Sequence, residues 1–321
     1  MAEEEEQEPG RGRESGSPSE IPARGWRDIL WRTRDEITRD RVSLVAAGLA
    51  FYTLLSIFPA IAAIVSVYGL VADAGEVQRH FLAVADLVPD EARTLLADQM
   101  TRVAGGNTGS LSFAALLGLV IALWSASRGT QAFMMAMNVA YNEREKRGIV
   151  KQNLIAIALT LCLLVFSALA LVATVFVPAM VAALGAEGTR GWLLTLLRWP
   201  LLAVFFMAVL AALYRFAPSR NDAKWRWVTP GSVVAVLLWL VASMAFSFYI
   251  GNFASYNQTY GSLGAVVGVL MWFWVSAFLV ILGAELNAET EHQTRCDSTH
   301  GPAKPMGERG AYVADTVGEK P

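Results

Sequence analysis

Between Arg226 and Glu285 the chain lacks Asp, Glu, Lys and Arg altogether, an uncharged run of 58 residues (227–284). One membrane-crossing helix needs about 20 apolar residues, so this run holds two, joined by the polar, glycine-bearing stretch 251–261. A helical pair in a water-soluble core would carry charged outer faces, and none are present here. Other scarcities exclude further classes. The two cysteines, Cys162 in an apolar run and Cys296 in a polar stretch, make no disulfide framework. No Gly-x-x-x-x-Gly-Lys-Ser/Thr loop occurs, which excludes ATP-driven work of the P-loop type, and no other cofactor is expected. There is no contiguous basic groove, and the arginines lie beside apolar runs, so nucleic acid is not an expected partner. No cleavable signal peptide is visible, and the first apolar helix is expected to serve as targeting signal.

What is there is an apolar fraction of 55% against 17% charge, with the charges in blocks. Charge-free runs place six spans near 42–70, 110–127, 153–178, 199–214, 228–250 and 263–284. The fourth is pinched between Arg198 and Arg215, and reaches span length if it begins near Trp192 with Arg198 snorkelling. Pro59 is expected to kink the first. Lys and Arg concentrate before the first span (Arg24, Arg27, Arg32, Arg34, Arg39, Arg41), between the second and third (Arg144, Lys146, Arg147, Lys151), and between the fourth and fifth (Arg215, Arg220, Lys224, Arg226). Positive loops stay inside. The expected fold class is therefore an all-α integral membrane protein. It is a bundle of six transmembrane helices, with both termini in the cytoplasm and a helical external loop between helices 1 and 2. The lipid bilayer is its expected surrounding.

Segments outside the spans carry weaker patterns. Residues 1–24 are Glu-, Gly-, Ser- and Pro-rich and residues 292–321 are Gly/Pro/charged, so both are expected to be disordered cytoplasmic tails flanking a membrane domain over 25–291. Trp26, Leu30, Thr33 and Ile37 fall on one helical face among arginines. They fit a helix lying on the membrane surface, or one packed on the underside of the bundle. In the external loop, about 71–109, Ala92, Leu95, Leu96, Met100 and Val103 repeat at helical spacing after Pro89-Asp-Glu, the residues a first helical turn favours.

Four stretches carry a family likeness. They are Asp40-Arg-Val-Ser-Leu-Val-Ala-Ala-Gly-Leu-Ala-Phe-Tyr-Thr-Leu-Leu-Ser-Ile-Phe-Pro59, and Leu123-Trp-Ser-Ala-Ser-Arg128 with Asn138-Val-Ala-Tyr141 and Glu145-Lys-Arg147. Phe216-Ala-Pro218 with Trp225-Arg-Trp-Val-Thr-Pro-Gly231, and Tyr260-Gly-Ser-Leu-Gly264 through Gly283-Ala-Glu-Leu-Asn287, complete the set. In this order, over about 25–291, they resemble the YihY/BrkB family of bacterial inner-membrane proteins. The resemblance implies six helices, the cytoplasmic (inner) membrane, and a loose association with envelope integrity, serum resistance and proposed solute transport. It also brings an old ribonuclease BN label, which the chemistry opposes. A metal-dependent nuclease needs clustered His and carboxylate ligands. His80, His292 and His300 fall on opposite sides of the expected topology without His-x-His spacing, so neither a metal site nor an enzyme is expected.

Ionisable groups at membrane depth cost about 2.5–3.5 kcal/mol at the bilayer centre, which makes them functional candidates. Those nearest the spans are Arg128, Arg215 and Glu285, all at expected cytoplasmic helix ends. Glu285 pairing with Arg128 or Arg215 would make a gate or coupling group, and the plainer reading is interfacial anchoring or a structural ion pair. Asn252, Tyr256, Asn257, Gln258 and Tyr260 are a candidate path for a polar solute, or simply a loop whose amides satisfy its own turns. Ala114, Gly118, Ala122 and Ala126, and Gly264 with Gly268, recur every four residues as small-residue stripes. They read as helix packing within one bundle rather than a dimer seam, and they leave the oligomeric state open. Two functions follow: ATP-independent transport or export of a small polar or amphipathic solute, or a non-transport envelope scaffold or lipid-organising protein.

Overall fold

The computed structural model describes residues 10–71, 113–183, 189–253 and 262–320. The described residues form eight α-helices: α1 (Ala23–Arg39), α2 (Val42–Val71), α3 (Phe113–Ala140), α4 (Ile149–Ala183), α5 (Thr189–Phe216), α6 (Trp225–Phe253), α7 (Ser262–His292) and the short α8 (Tyr312–Asp315). A 3-10 turn over Pro18–Glu20 precedes them. No strand occurs among the described residues; Ala223 and Thr299 make an isolated antiparallel bridge.

Helix ends follow local chemistry. Asn142, at φ 53°, takes the left-handed conformation that closes α3. The Glu143 amide then donates to the Asn138 carbonyl (2.8 Å) and the Asn142 amide to Val139 (2.9 Å), the double bond of a Schellman cap. Arg41, at φ 50°, turns the chain between α1 and α2, which meet at 64°.

Each long helix from α2 to α7 packs against the next in sequence, and α7 returns to α2, so the six close into a ring. Helix α7 also touches α3 and α1. Among the described residues four helices carry stretches long and apolar enough to cross a membrane: Ile149–Ala170, Trp199–Phe216, Trp225–Tyr249 and Val266–His292. The bent pair Ala23–Arg39 and Val42–Ile57 would make a fifth. Their outward residues, among them Leu154, Val165, Leu201, Val204, Leu237, Val241, Met244 and Val267, are large, apolar and exposed, the surface that lipid rather than water covers. The helix that carries the Trp199–Phe216 stretch begins earlier, since α5 runs unbroken from Thr189 through Arg198 and Pro200.

Small residues bring backbones together at two glycines outside the stripes. A Cβ at Gly231 would overlap the Gly283 carbonyl oxygen, fixing the α6–α7 crossing. One at Gly129 would overlap Ser56, fixing α2 against α3. Around Gly118, by contrast, a Cβ would meet nothing within 4 Å. Ala126 is buried and Ala122 and Gly268 are half-buried; Ala114 lies in α3 and Gly264 in α7. Between helices, polar pairs add specificity: Thr130 with Thr160 (2.7 Å), Gln131 donating to Asn153 (2.7 Å), and Trp239 donating to Ser276 (3.0 Å).

The segments expected to be tails depart from that expectation wherever they are described. Residues 10–22 run against α1 and the segment after α7. The Arg11 guanidinium meets Asp28 at 2.7 Å, and the Arg295 amide donates to the Arg13 carbonyl at 2.7 Å. After α7 the chain folds around its own carboxylates. Asp297 accepts from the amides of Thr299 (2.8 Å) and Lys304 (2.9 Å). Asp315 accepts from those of Gly307, Arg309 and Gly310 at 2.8–3.0 Å. Buried Arg309 donates to the carbonyls of Ala314 (2.6 Å) and Arg295 (2.8 Å). The external helical loop expected over 71–109 lies almost wholly outside the described residues.

Candidate functional site

Helix α7 ends in Glu285-Leu-Asn-Ala-Glu-Thr-Glu-His292, and all three of its glutamates are buried. A period of 3.6 residues sends Glu285 and Glu289 to one face and Asn287 and Glu291 to another. The two faces meet different neighbours and have opposite characters.

On the Glu291 face the carboxylate itself is saturated, while Arg220 Nε and the Tyr141 hydroxyl are buried without partners. Arg220, from the link between α5 and α6, donates two bonds to the Glu291 carboxylate (3.1 and 2.7 Å), and both side chains are fully buried. Ser298 adds a third at 2.7 Å. The Arg220 guanidinium lies 4.2 Å from the centre of the Tyr141 ring. One turn earlier Asn287 accepts from the Gly231 amide (2.7 Å) and donates to the Val228 carbonyl (3.0 Å), clamping the first turn of α6. Close by, Asn138 accepts from the Ser219 amide (2.7 Å), and Glu143 accepts from the Tyr312 amide (2.7 Å). Burial would raise the pKa of Glu145, but bonds from the Arg147 side chain and amide, with Asn138, outweigh it and bring it down to about 2.

The Glu285 face is not saturated. It looks towards α1 and the α1–α2 corner. Glu289 is held by Arg32, which also donates to Gln293 (2.7 Å), and its other oxygen lies 3.4 Å from His292. Glu36 takes one bond from Arg39 (2.6 Å) through Oε1, while its Oε2 is buried without a partner. Asp40 Oδ2 is likewise buried and unpartnered. Glu285 is only 1% exposed, and neither of its oxygens has a donor. The carboxyl groups set around it are those of Asp40, at the α1–α2 corner, Glu36 and Glu289. Burial raises the pKa of Asp40 and of Glu36 against the opposing pull of Arg39.

Glu285 therefore does not pair with Arg128 or Arg215. Arg128 is exposed, lies 4.4 Å from the centre of the Trp124 ring and donates to Gln131 (3.1 Å), an anchoring role within α3. Arg215 is buried between the rings of Trp225 (4.7 Å) and Phe216 (5.3 Å), with Asp222 at 4.0 Å. Both cations are engaged locally, and Glu285 is left with other carboxyls. In the second candidate patch Asn252 sits in the last turn of α6, and Tyr256, Asn257, Gln258 and Tyr260 lie outside the described residues.

In helix α1 the buried residues are Gly25, Asp28, Ile29, Arg32, Thr33 and Glu36. Of the expected face Thr33 is buried and Trp26 and Ile37 pack against the core, while Leu30 is exposed, as is Trp31. An apolar-face argument overlooks this arrangement because the partner surface is itself charged. The missed residues Glu36, Asp40, Glu289, Glu291, Arg32 and Arg220 did leave a signal. Glu285/Glu289 and Asn287/Glu291 repeat every four residues in direct continuation of an apolar helix. Beside this site a cleft of about 590 Å³ opens between α1, α2 and α7, lined by Ile37, Thr38, Arg41, Leu44 and Trp274 among others. His80 lies outside the described residues. Among those that are described, no group of three or more His, Cys, Asp and Glu is placed to hold a metal ion.

Comparison with known proteins gives one consistent grouping. The family model described as Virulence factor BrkB matches residues 33–307, running on past the end of α7. The ribonuclease-like protein YfkH of Bacillus subtilis (strain 168) is 32% identical over 257 residues, covering 76% of this chain and 88% of its own. The UPF0761 membrane protein VP0125 of Vibrio parahaemolyticus is 30% identical over 297 residues, covering 88% and 89%. A UPF0761 membrane protein of Vibrio atlanticus is 27% identical over 267 residues, 80% of each. No solved structure matches the chain.

Proposed function

This chain belongs to the Virulence factor BrkB family, and from that premise we propose that it carries a small polar or amphipathic solute across the bacterial inner membrane without ATP. In this reading all six long helices span, and both termini face the cytoplasm. The carboxyl cluster then sits at the inner mouth of the ring. The observation that carries the reading is Glu285, buried at that mouth with both oxygens unpartnered. A merely structural glutamate is saturated, as Glu291 is on the next face of the same helix. A scaffold needs no such group, whereas a transporter needs an ionisable one that can change partner. Asn252, Tyr256, Asn257, Gln258 and Tyr260 would line the outer approach. The reading calls for no catalytic step, and the ribonuclease-like name stays with the Bacillus relative.

The test is an untargeted comparison of small-molecule pools, inside and outside the cell, between a strain lacking this protein and the same strain supplied with it. A solute that moves across the membrane in the null strain and returns with the protein supports transport and names the cargo. Unchanged pools beside an altered envelope would replace transport with the scaffold reading.

A further inference from the structure

We propose that Asp40 and Glu285 form a proton-binding site: the buried Glu285 carboxyl and the half-buried Asp40 carboxyl, from opposite sides of the α1–α7 contact, hold one proton between them. Three observations carry this beyond a cluster of acids. Glu285 is 1% exposed and has no donor to either oxygen; Glu36 and Asp40 each bury one oxygen in the same condition. The cations within reach are engaged elsewhere, Arg32 on Glu289 and Arg39 on the outer oxygen of Glu36. Two ionised carboxylates side by side have no hydrogen between them, so their contact becomes a hydrogen bond only when one is protonated.

The groups that face Glu285 are acids and one phenol. They are Asp40 at the α1–α2 corner, Glu36 from α1, Glu289 from its own helix and Tyr141 at the end of α3. His292 lies beyond Glu289, against Thr316 (3.0 Å) and the Tyr312 ring, and Arg220 is fixed on Glu291. No group of three or more His, Cys, Asp and Glu is placed to hold a metal ion among the described residues, and a proton needs only the two carboxyl oxygens it bridges. On release the proton goes to water, and two negative charges remain against each other beside Glu36. Their repulsion acts across the α1–α7 contact, so proton loss loosens α1 from α7. That couples proton occupancy to the position of the α1–α2 corner.

The inference rests on the site described above and not on solute movement; a proton site without transport would leave it standing while removing the transport reading. Infrared difference spectroscopy on the whole protein in lipid vesicles, titrated with acid and base, reads the carbonyl stretch of protonated carboxyls directly. A band persisting at neutral pH is expected in the wild type, lost in Glu285→Gln and with its midpoint moved to lower pH in Asp40→Asn. The exposed Glu145→Gln should leave it unchanged. Helix content and size-exclusion profiles establish folding, and either pair variant alone carries the comparison if the other fails. A band that is absent at neutral pH, or survives Glu285→Gln, would overturn the proposal. So would one that Na⁺, K⁺ or Mg²⁺ removes at constant pH where choline does not, which would mark a metal-cation site instead.

Discussion

The two faces at the end of α7 are separated by two residues of sequence and share one burial, yet they solve the problem of a buried carboxylate in opposite ways. Glu291 is surrounded by donors: two from Arg220 and one from Ser298. Glu285 has carboxyls for company and no donor. The first is what structure needs, because a buried charge is tolerable only when paired and hydrogen-bonded. The second is what a structure would shed unless the group has work to do. Removing the carboxylate from each face should therefore have opposite consequences.

The largest effect should come from the saturated face. Glu291→Gln leaves Arg220 buried without its counter-charge, and breaking such a pair costs ~3–5 kcal/mol. Thermal unfolding of the purified protein should show it as a large loss, whereas Glu285→Gln, which strips no donor of its partner, should cost much less. Equal losses in the two variants would erase the contrast between the faces.

Next is the backbone crossing that supports both faces. Gly231→Ala must push α6 from α7, since its Cβ would overlap the Gly283 carbonyl, and forced repacking of this kind costs ~1–3 kcal/mol. Gly118→Ala, on an open surface, should instead gain up to about 1 kcal/mol from helix propensity. Thermal unfolding of the pair separates a packing glycine from a merely repeated one.

Third is the cap after α7. Ending the chain at His292 removes the Ser298 bond to Glu291 and the Asp297 and Ser298 carbonyls that Lys224 binds. Heat stability should fall, and the α5–α6 link around Lys224 should become open to trypsin. A silent truncation would restore the disordered tail.

The smallest effect is the acid dependence of Glu145. Its pKa is lowered to about 2 in the folded chain, so its contribution is complete above the ordinary carboxylate range and lost as pH falls towards 2. Glu145→Gln should therefore cost a little at neutral pH, small because the group is exposed, and nothing near pH 2, which flattens that part of the acid-unfolding profile.

Much of the bundle was legible because one physical fact writes it. A helix facing lipid cannot carry charge, so uncharged runs mark α4, α6 and α7, and arginines mark their ends. The cap was not legible, for the inverse reason. Around Asp297, Asp315 and Arg309 the chain is held by carboxylates and a guanidinium on backbone groups, which leaves no apolar period, and a polar segment without one reads as disorder. Glu285 was found because it ends an uncharged run; its partners were not, because attraction was sought. Arg128 and Arg215 are of the right sign, but aromatic rings and near neighbours occupy them. Asp40, of the wrong sign, is the neighbour the fold supplies.

The central claim is that Glu285 serves function rather than stability. It is tested most directly by measuring solute pools across the membrane in cells producing wild type or Glu285→Gln at matched abundance and matched unfolding temperature. The account predicts that the variant behaves as the null strain, with the same solute displaced. A variant as abundant and as stable as wild type that keeps the wild-type distribution would contradict it.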